Sequence, residues 1–558
     1  MTKGWVALLA GLAMILGGSW LAGEIQTSGG IEVQDVRFPG GDGAVMSGLL
    51  YIPRTATPLT RAPGILAVHG YINSRETQDG FAIEFARRGY VVLAMDQTGH
   101  GYSGGAAFSS GFGGPAGLRY LRSLPMVDTA NIGLEGHSMG GWTVLAAAAA
   151  RPSDYKAMVL EGSSTGKPFA ADGTRTWPRN LEVVFSRYDE FSKIMWGVDR
   201  AQDVTHSAKL QAVFGTNRTI VPGRIYGTLA DGTGRRLETP TTTHPGDHFS
   251  TEAIGDALDW FAATLRPVTP RADGDQIWYW KEVGTGVALL GFVALILGVF
   301  DVLLALPVFA ALRAAPSSEG RGASAGWVAT TAIVPILTLF PAFIAVTLLL
   351  KPSPLLPQTI NNQVIAWALV NTALTALFGL RRRRPAGSGP QFDLIRGAVL
   401  ALLTTGAGWL SLYAVDQLFK VDFRFWVVAL KLPSAAQWRI MPVYFLALLL
   451  FFRVSLGALC TRLPGSRHPY GTAIAALSGG FSLFLGLDYG VFFLTGALPT
   501  AIDPLTTVVA IQFLPLMSFV AVLSVFTWKR TGSAVPGALL AALLVTWYVV
   551  AGTATHVV

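Results

Sequence analysis

A single cysteine, Cys460, stands in 558 residues, so no intramolecular disulfide is open to this chain. Whatever folds must be held by packing and polar pairing alone. Charge is scarce too: Asp, Glu, Lys and Arg make up 14% of the residues against 51% hydrophobic ones. That balance excludes a protein that is soluble along its whole length. No H-E-x-x-H, paired Cys/His or Asp-rich loop offers a metal site, and no Walker loop offers a phosphate cradle. The glycine pairs lack the strand–helix spacing of a dinucleotide fingerprint, so no cofactor is expected. No aromatic–basic nucleic-acid motif occurs. The formal charge of +8 comes largely from cations flanking apolar runs, and it requires no nucleic-acid partner.

What the chain does have is apolar runs of bilayer-spanning length, about 20 residues each. They fall near 5–22, 285–312, 327–350, 360–380, 394–415, 438–458, 471–495, 504–527 and 534–555. This spacing gives an N-terminal anchor (1–28), a non-membrane domain (31–266), an interfacial linker (267–284) and a bundle of about eight spans (285–558). Phe423 to Pro433 reads instead as an interfacial amphipathic segment. Lys3, Arg313 with Arg321, Arg381 to Arg384, Arg462 with Arg467, and Lys529 with Arg530 all fall in loops of one side. Cationic loops stay in the cytoplasm, which puts the N-terminus inside and residues 31–266 outside. Trp278-Tyr279-Trp280-Lys281 reads as an aromatic anchor at the membrane surface. The first span also has the small-residue end of a cleavable signal peptide, but its length favours an anchor. Asp301 and Asp488 fall within spans, where an acid is either functional or bonded to a neighbouring helix.

Within 31–266, five residues place a nucleophile. Gly136-His137-Ser138-Met139-Gly140 follows a buried strand, Asn131 to Glu135, and precedes a helix beginning Gly141-Trp142-Thr143. A G-x-S-x-G sequence at a strand-to-helix junction puts serine on a strained turn beneath a helix N-terminus. Two further apolar strands, Pro63–Val68 and Tyr90–Met95, lead into His69-Gly70-Tyr71 and Asp96-Gln97-Thr98-Gly99-His100-Gly101-Tyr102-Ser103.

These motifs, with Val127 to Gly141, resemble the α/β-hydrolase superfamily. The nearest branch is that of serine aminopeptidases, dienelactone hydrolases and monoacylglycerol-lipase-like esterases. The resemblance implies a mostly parallel, doubly wound sheet, here joined to an all-α polytopic transmembrane bundle. It implies a Ser-Asp-His triad with an oxyanion hole from the backbone N–H groups of Tyr71 and Met139. Asp189 ends the strand Leu181–Phe185, where the superfamily keeps its acid, with Ser186 where the family usually has glycine. Asp231 is the rival, but Ala230-Asp231-Gly232-Thr233 reads as a hairpin turn. His248, just before a helix capped by Ser250 or Thr251, matches the family's histidine loop, and His244 reads as a strand-end residue. The expected activity is hydrolysis of an ester, thioester or amide, with a lipid or lipid-linked substrate first and an exported peptide second. A transport or sensing protein with a hydrolase-like binding domain is the alternative of a different class.

Overall fold

The computed structural model describes residues 3–266, 269–316, 322–380 and 393–558. Arg321 and the cluster Arg381 to Arg384 therefore lie outside the described residues. Helix α1 (Lys3–Gln26) leads into eight strands: β1 (Glu32–Pro39), β2 (Val45–Ile52), β3 (Ala62–Val68), β4 (Val91–Met95), β5 (Val127–His137), β6 (Ala157–Glu161), β7 (Leu181–Val184) and β8 (Arg235–Glu238). They form one sheet in the order β1-β2-β4-β3-β5-β6-β7-β8. Only β2 runs against its neighbours; β4 through β8 are parallel. The central strands are buried on both faces, as near-continuous runs such as Gly64-Ile65-Leu66-Ala67-Val68 require. Helices α2 (Asp79–Arg87), α3 (Gly114–Ser123), α4 (Met139–Ala150), α5 (Ser192–Trp196), α6 (Ala208–Phe214) and α7 (Thr251–Thr264) connect or cover the strands. The doubly wound α/β expectation holds.

The second unit is helical: α8 (Trp278–Leu304), α9 (Ala325–Leu349), α10 (Thr359–Leu380), α11 (Leu394–Phe419), α12 (Ala435–Cys460), α13 (Pro469–Leu477), α14 (Gly479–Thr495), α15 (Pro504–Thr531) and α16 (Val535–Gly552). Among the described residues, seven helices (α1, α8, α9, α11, α12, α15 and α16) are long and apolar enough to cross a membrane. The pair α13–α14, bent by 51°, makes an eighth. The remaining expected span, 360–380, coincides with α10, whose first turns bury Asn361, Asn362 and Gln363. Leu348, Leu349, Ile395 and Leu494 stand exposed on the bundle surface, a pattern suited to lipid rather than water.

Helix α1 packs along α8 through glycine on both sides. A Cβ on Gly18 would lie 2.4 Å from Gly284 O, and one on Gly291 would lie 2.8 Å from Gly11 O. Such contacts let two backbones touch where no hydrophobic drive distinguishes helix from lipid. Two expectations change here. Lys281 is buried in an ion pair with Asp79, and Trp278 is only 2% exposed, leaving Tyr279 and Trp280 at the surface. The segment read as interfacial is a two-stranded hairpin, β9 (Phe423–Phe425) with β10 (Val428–Leu430). Its Arg424 is buried against the α/β domain rather than facing head groups. Asp301 accepts from Arg530 Nε at 2.5 Å, and Asp488 accepts from Thr500 Oγ1 at 2.8 Å. Both acids bond neighbouring side chains.

Gly18→Leu is expected to cost about 1–3 kcal/mol by overpacking and to lower the thermal midpoint in detergent by several degrees. Gly17→Leu, which meets open space, should leave it within about a degree; equal losses would contradict the packing account.

Candidate active site

The carboxyl ends of β3, β5, β7 and β8 converge on one point, and each contributes a loop. At the end of β5, Ser138 adopts φ 54°, ψ −119°, a conformation that costs an L-residue about 1–3 kcal/mol and persists only where its surroundings force it. They do so by crowding. A Cβ on Gly136 would lie 2.3 Å from Gly140 O, and one on Gly140 would lie 2.0 Å from Val68 O. Glu161 O accepts the Ser138 N–H at 2.8 Å, and Ser163 Oγ donates to Ser138 O at 2.6 Å. The turn is locked from both sides, and α4 starts immediately at Met139. As the first residue of that helix, Met139 has an N–H with no intrahelical partner. Gly70 closes the other wall: a Cβ there would meet Ser138 Cβ and His137 Nδ1, each at 3.1 Å. That approach brings Tyr71, the next residue, beside the serine loop.

The acid lies where expected and meets a different histidine. A parallel bridge between Tyr188 and Thr243 prolongs the β7–β8 pairing past the named strands. The residues that follow, Asp189 and His244, therefore fall side by side, with His244 Nδ1 2.8 Å from Asp189 Oδ2. Phe191 N donates to the other oxygen, Oδ1, at 2.7 Å. His248 sits four residues on, at the far end of a 3₁₀ turn (His244–Phe249), and neither of its ring nitrogens has a hydrogen-bond partner. Its ring lies against His137 at 4.0 Å and edge-on to Phe81. The histidine hydrogen-bonded to Asp189 is thus His244 and not the expected His248, because the strand extension rather than the helix cap sets the register. His244 also borders the nucleophile loop: His137 Nε2 is 2.9 Å from His244 O, and Gly162 backs onto His244 Nδ1. Asp231 is exposed in the turn between Tyr226 and Arg235.

Burial governs the electrostatics. It pushes Asp189 well above the usual carboxylate range, helped by the Asp247 carboxylate, and it lowers His244 to about 4. Asp247 itself bonds Ser186 Oγ. Glu190 adds a support that sequence reading missed: its Oε2 accepts the His244 N–H at 2.8 Å, and its Oε1 accepts from Tyr489 Oη on α14 at 2.7 Å. His137, His244 and Asp247 bring donor atoms within 4.8 Å of one another. His244 Nδ1 already serves Asp189, however, and His137 Nε2 is engaged by His244 O. Positions 107 residues apart leave no metal spacing to read in sequence.

The C-terminal segment reaches over the site. Thr555 pairs with Gly99 and Ala107 through backbone bonds of 2.8 Å, and His556 Nε2 lies 2.8 Å from Tyr71 Oη. Phe108 stacks on both Tyr71 and Phe169, with ring centroids at 5.7 and 5.5 Å, so the three rings form an aromatic row.

Residues 62–204 match the family model described as serine aminopeptidase, S33. A monoacylglycerol lipase of Mycolicibacterium smegmatis is 34% identical over 117 residues, 19% of this chain and 40% of the lipase. The match thus spans well under half of that relative's length. Among solved structures, a Pyrococcus furiosus esterase is 17% identical, covering 42% of this chain and 92% of its own (TM-score 0.31). A dienelactone hydrolase-like phosphotriesterase from metagenomic libraries is 16% identical, covering 42% of this chain and 99% of its own (TM-score 0.32).

Because His244 is held near 4 rather than its ordinary 6.5, it stays neutral down to mildly acidic pH. An activity that needs the neutral imidazole is therefore retained as pH falls and is lost only below about pH 5. A kcat/KM profile for a soluble ester checks this; an acid limb at 6.5 or above would contradict it.

Proposed function

We propose, from the premise that the α/β part of this chain belongs to the α/β-hydrolase superfamily, that the protein is a membrane-embedded serine hydrolase cleaving acyl esters of lipid-type substrates. The observation that carries this reading is the strained Ser138 turn set beside the hydrogen-bonded Asp189–His244 pair. Ser138 Oγ attacks the acyl carbonyl and gives its proton to His244 Nε2, while Asp189 fixes the imidazole through Nδ1. The oxyanion is met by the N–H groups of Tyr71 and Met139. The intermediate collapses, the alcohol leaves with the proton from His244, and water then releases the acid by the same route in reverse.

The membrane setting rests on the seven apolar helices and the bent pair. The far end of the bundle from the α/β domain gathers Arg313, Lys529 and Arg530 around Asp301. Cations at that end favour a cytoplasmic location for it, and hence an extracytoplasmic hydrolase. The similarity to a monoacylglycerol lipase supports a lipid acyl substrate. The matched family's name favours a second reading, a peptidase, which an N-terminally unblocked peptide library would reveal.

Fluorophosphonate should label the full-length protein at Ser138, and Ser138→Ala should abolish labelling. His244→Ala and Asp189→Asn should each cut ester turnover by about 10³–10⁴-fold, whereas His248→Ala should cost less than about tenfold. Loss of activity in His248→Ala with full activity in His244→Ala would overturn the assignment.

A further inference from the structure

The N–H of Tyr71 makes no hydrogen bond to the protein among the described residues. It can serve an oxyanion only if its peptide is held in place beforehand. One end of that peptide is held from within the α/β domain. Gln97 N donates to His69 Nε2 at 3.2 Å, so the ring proton sits on Nδ1, which donates to Gly70 O at 2.7 Å. Burial keeps this imidazole neutral by lowering it to about 3. The carbonyl of the planar Gly70–Tyr71 peptide is thereby turned towards His69, and its N–H to the opposite side. The other end carries strain. Ile72, a β-branched residue, holds φ 56°, a conformation that persists only where neighbours enforce it.

Neighbours on that side come from the helical unit. Beyond α16, Thr555 N donates to Gly99 O and Ala107 N donates to Thr555 O, each at 2.8 Å, which fastens the segment 553–556 to the loop after β4. Gly99 has φ 70°, and a Cβ there would lie 2.4 Å from Thr555 O, so glycine is what admits the segment. On the bundle side, the buried Gln358 donates through Nε2 to the carbonyls of Val550 and Thr553, and His556 N donates to Pro357 O at 2.8 Å. The segment is tied to both units, and it delivers one side chain to the site. His556 Nε2 lies 2.8 Å from Tyr71 Oη, and its ring packs beside Tyr71 and Phe108 with centroids at 5.9 and 5.1 Å. Burial lowers His556 to about 4, so at neutral pH the ring is uncharged and able to accept the phenol proton.

We propose that His556, supplied by the helical unit, is a positioning residue for ester hydrolysis: through Tyr71 Oη it steadies the Gly70–Tyr71 peptide whose N–H receives the oxyanion. The inference rests on the hydrolase reading and gives the helical unit a part in the chemical step. A misaligned N–H weakens the bond to the charged oxygen of the transition state more than the bond to the neutral ester carbonyl. The loss therefore falls on kcat and spares KM.

The test uses the full-length protein in detergent with a water-soluble p-nitrophenyl ester. His556→Ala and Tyr71→Phe should each lower kcat about tenfold, the scale of one hydrogen bond, with KM changed less than about twofold. Affinity for an aryl trifluoromethyl ketone, whose serine adduct carries a charged oxygen at the same place, should fall by the same factor. The double variant should be no slower than either single one, because both remove the same contact. His556→Gln, whose amide can still reach Tyr71 Oη, should recover most of the loss. Thermal midpoints show that each variant is folded; if His556→Ala is not, Tyr71→Phe, which keeps the backbone contacts of the segment, must show the kcat loss by itself. Unchanged kcat in Tyr71→Phe or in folded His556→Ala, a loss confined to KM, or effects that multiply in the double variant would overturn the proposal. Ser138→Ala is scored separately: hydrolysis at the unsubstituted rate would sink the hydrolase reading itself, whereas an inactive Ser138→Ala beside an unaffected His556→Ala would remove the positioning role alone.

Discussion

The site depends first on how the carboxyl edge of the sheet is set against the helical bundle. The polar contacts across that junction include three that carry buried charge. Asp79 of α2 is paired with Lys281 of α8 and accepts from Tyr51 Oη at 2.6 Å. Arg424 of the β9–β10 hairpin is buried against Ser74 and Thr77, with Asp422 neutralising it. Glu190 links Tyr489 of α14 to the backbone of His244. Buried pairs of this kind add little net stability, yet losing one partner costs about 3–5 kcal/mol because a charge is stranded. Their effect is to allow one register between the units. The loops fixed by that register are 70–78 and 244–249, the ones that flank Ser138.

Much of the fold was legible because it follows from local pattern. Continuous apolar runs such as Val91–Met95 encode strands buried on both faces, and bilayer-length runs encode the long helices. The Ser138 turn was legible for a stronger reason: glycines at 136 and 140 are the only residues that fit where Val68 O and Gly140 O approach. Asp189 was placed at a strand end, and it lies there.

The rest was set by partners distant in sequence. Local pattern favours His248, and the Tyr188–Thr243 bridge that sets His244 beside Asp189 instead adds residues beyond any readable strand pattern. The 423–430 segment is apolar but for Arg424, which suits a membrane surface and a buried hairpin alike. The contact of Arg424 with the α/β domain, 347 residues away in the chain, decides the matter. Lys281 likewise meets Asp79 only once both units are folded, and Asp301 meets Arg530 only once α8 and α15 pack in the bundle.

The most direct measurement is a structure, by electron cryo-microscopy in nanodiscs, of the protein inactivated with a long-chain alkyl phosphonate. The account predicts phosphorus bonded to Ser138 Oγ, a phosphonyl oxygen facing the N–H groups of Tyr71 and Met139, and His244 beside the serine oxygen. Phosphorus on another residue, or His248 in place of His244, would contradict it.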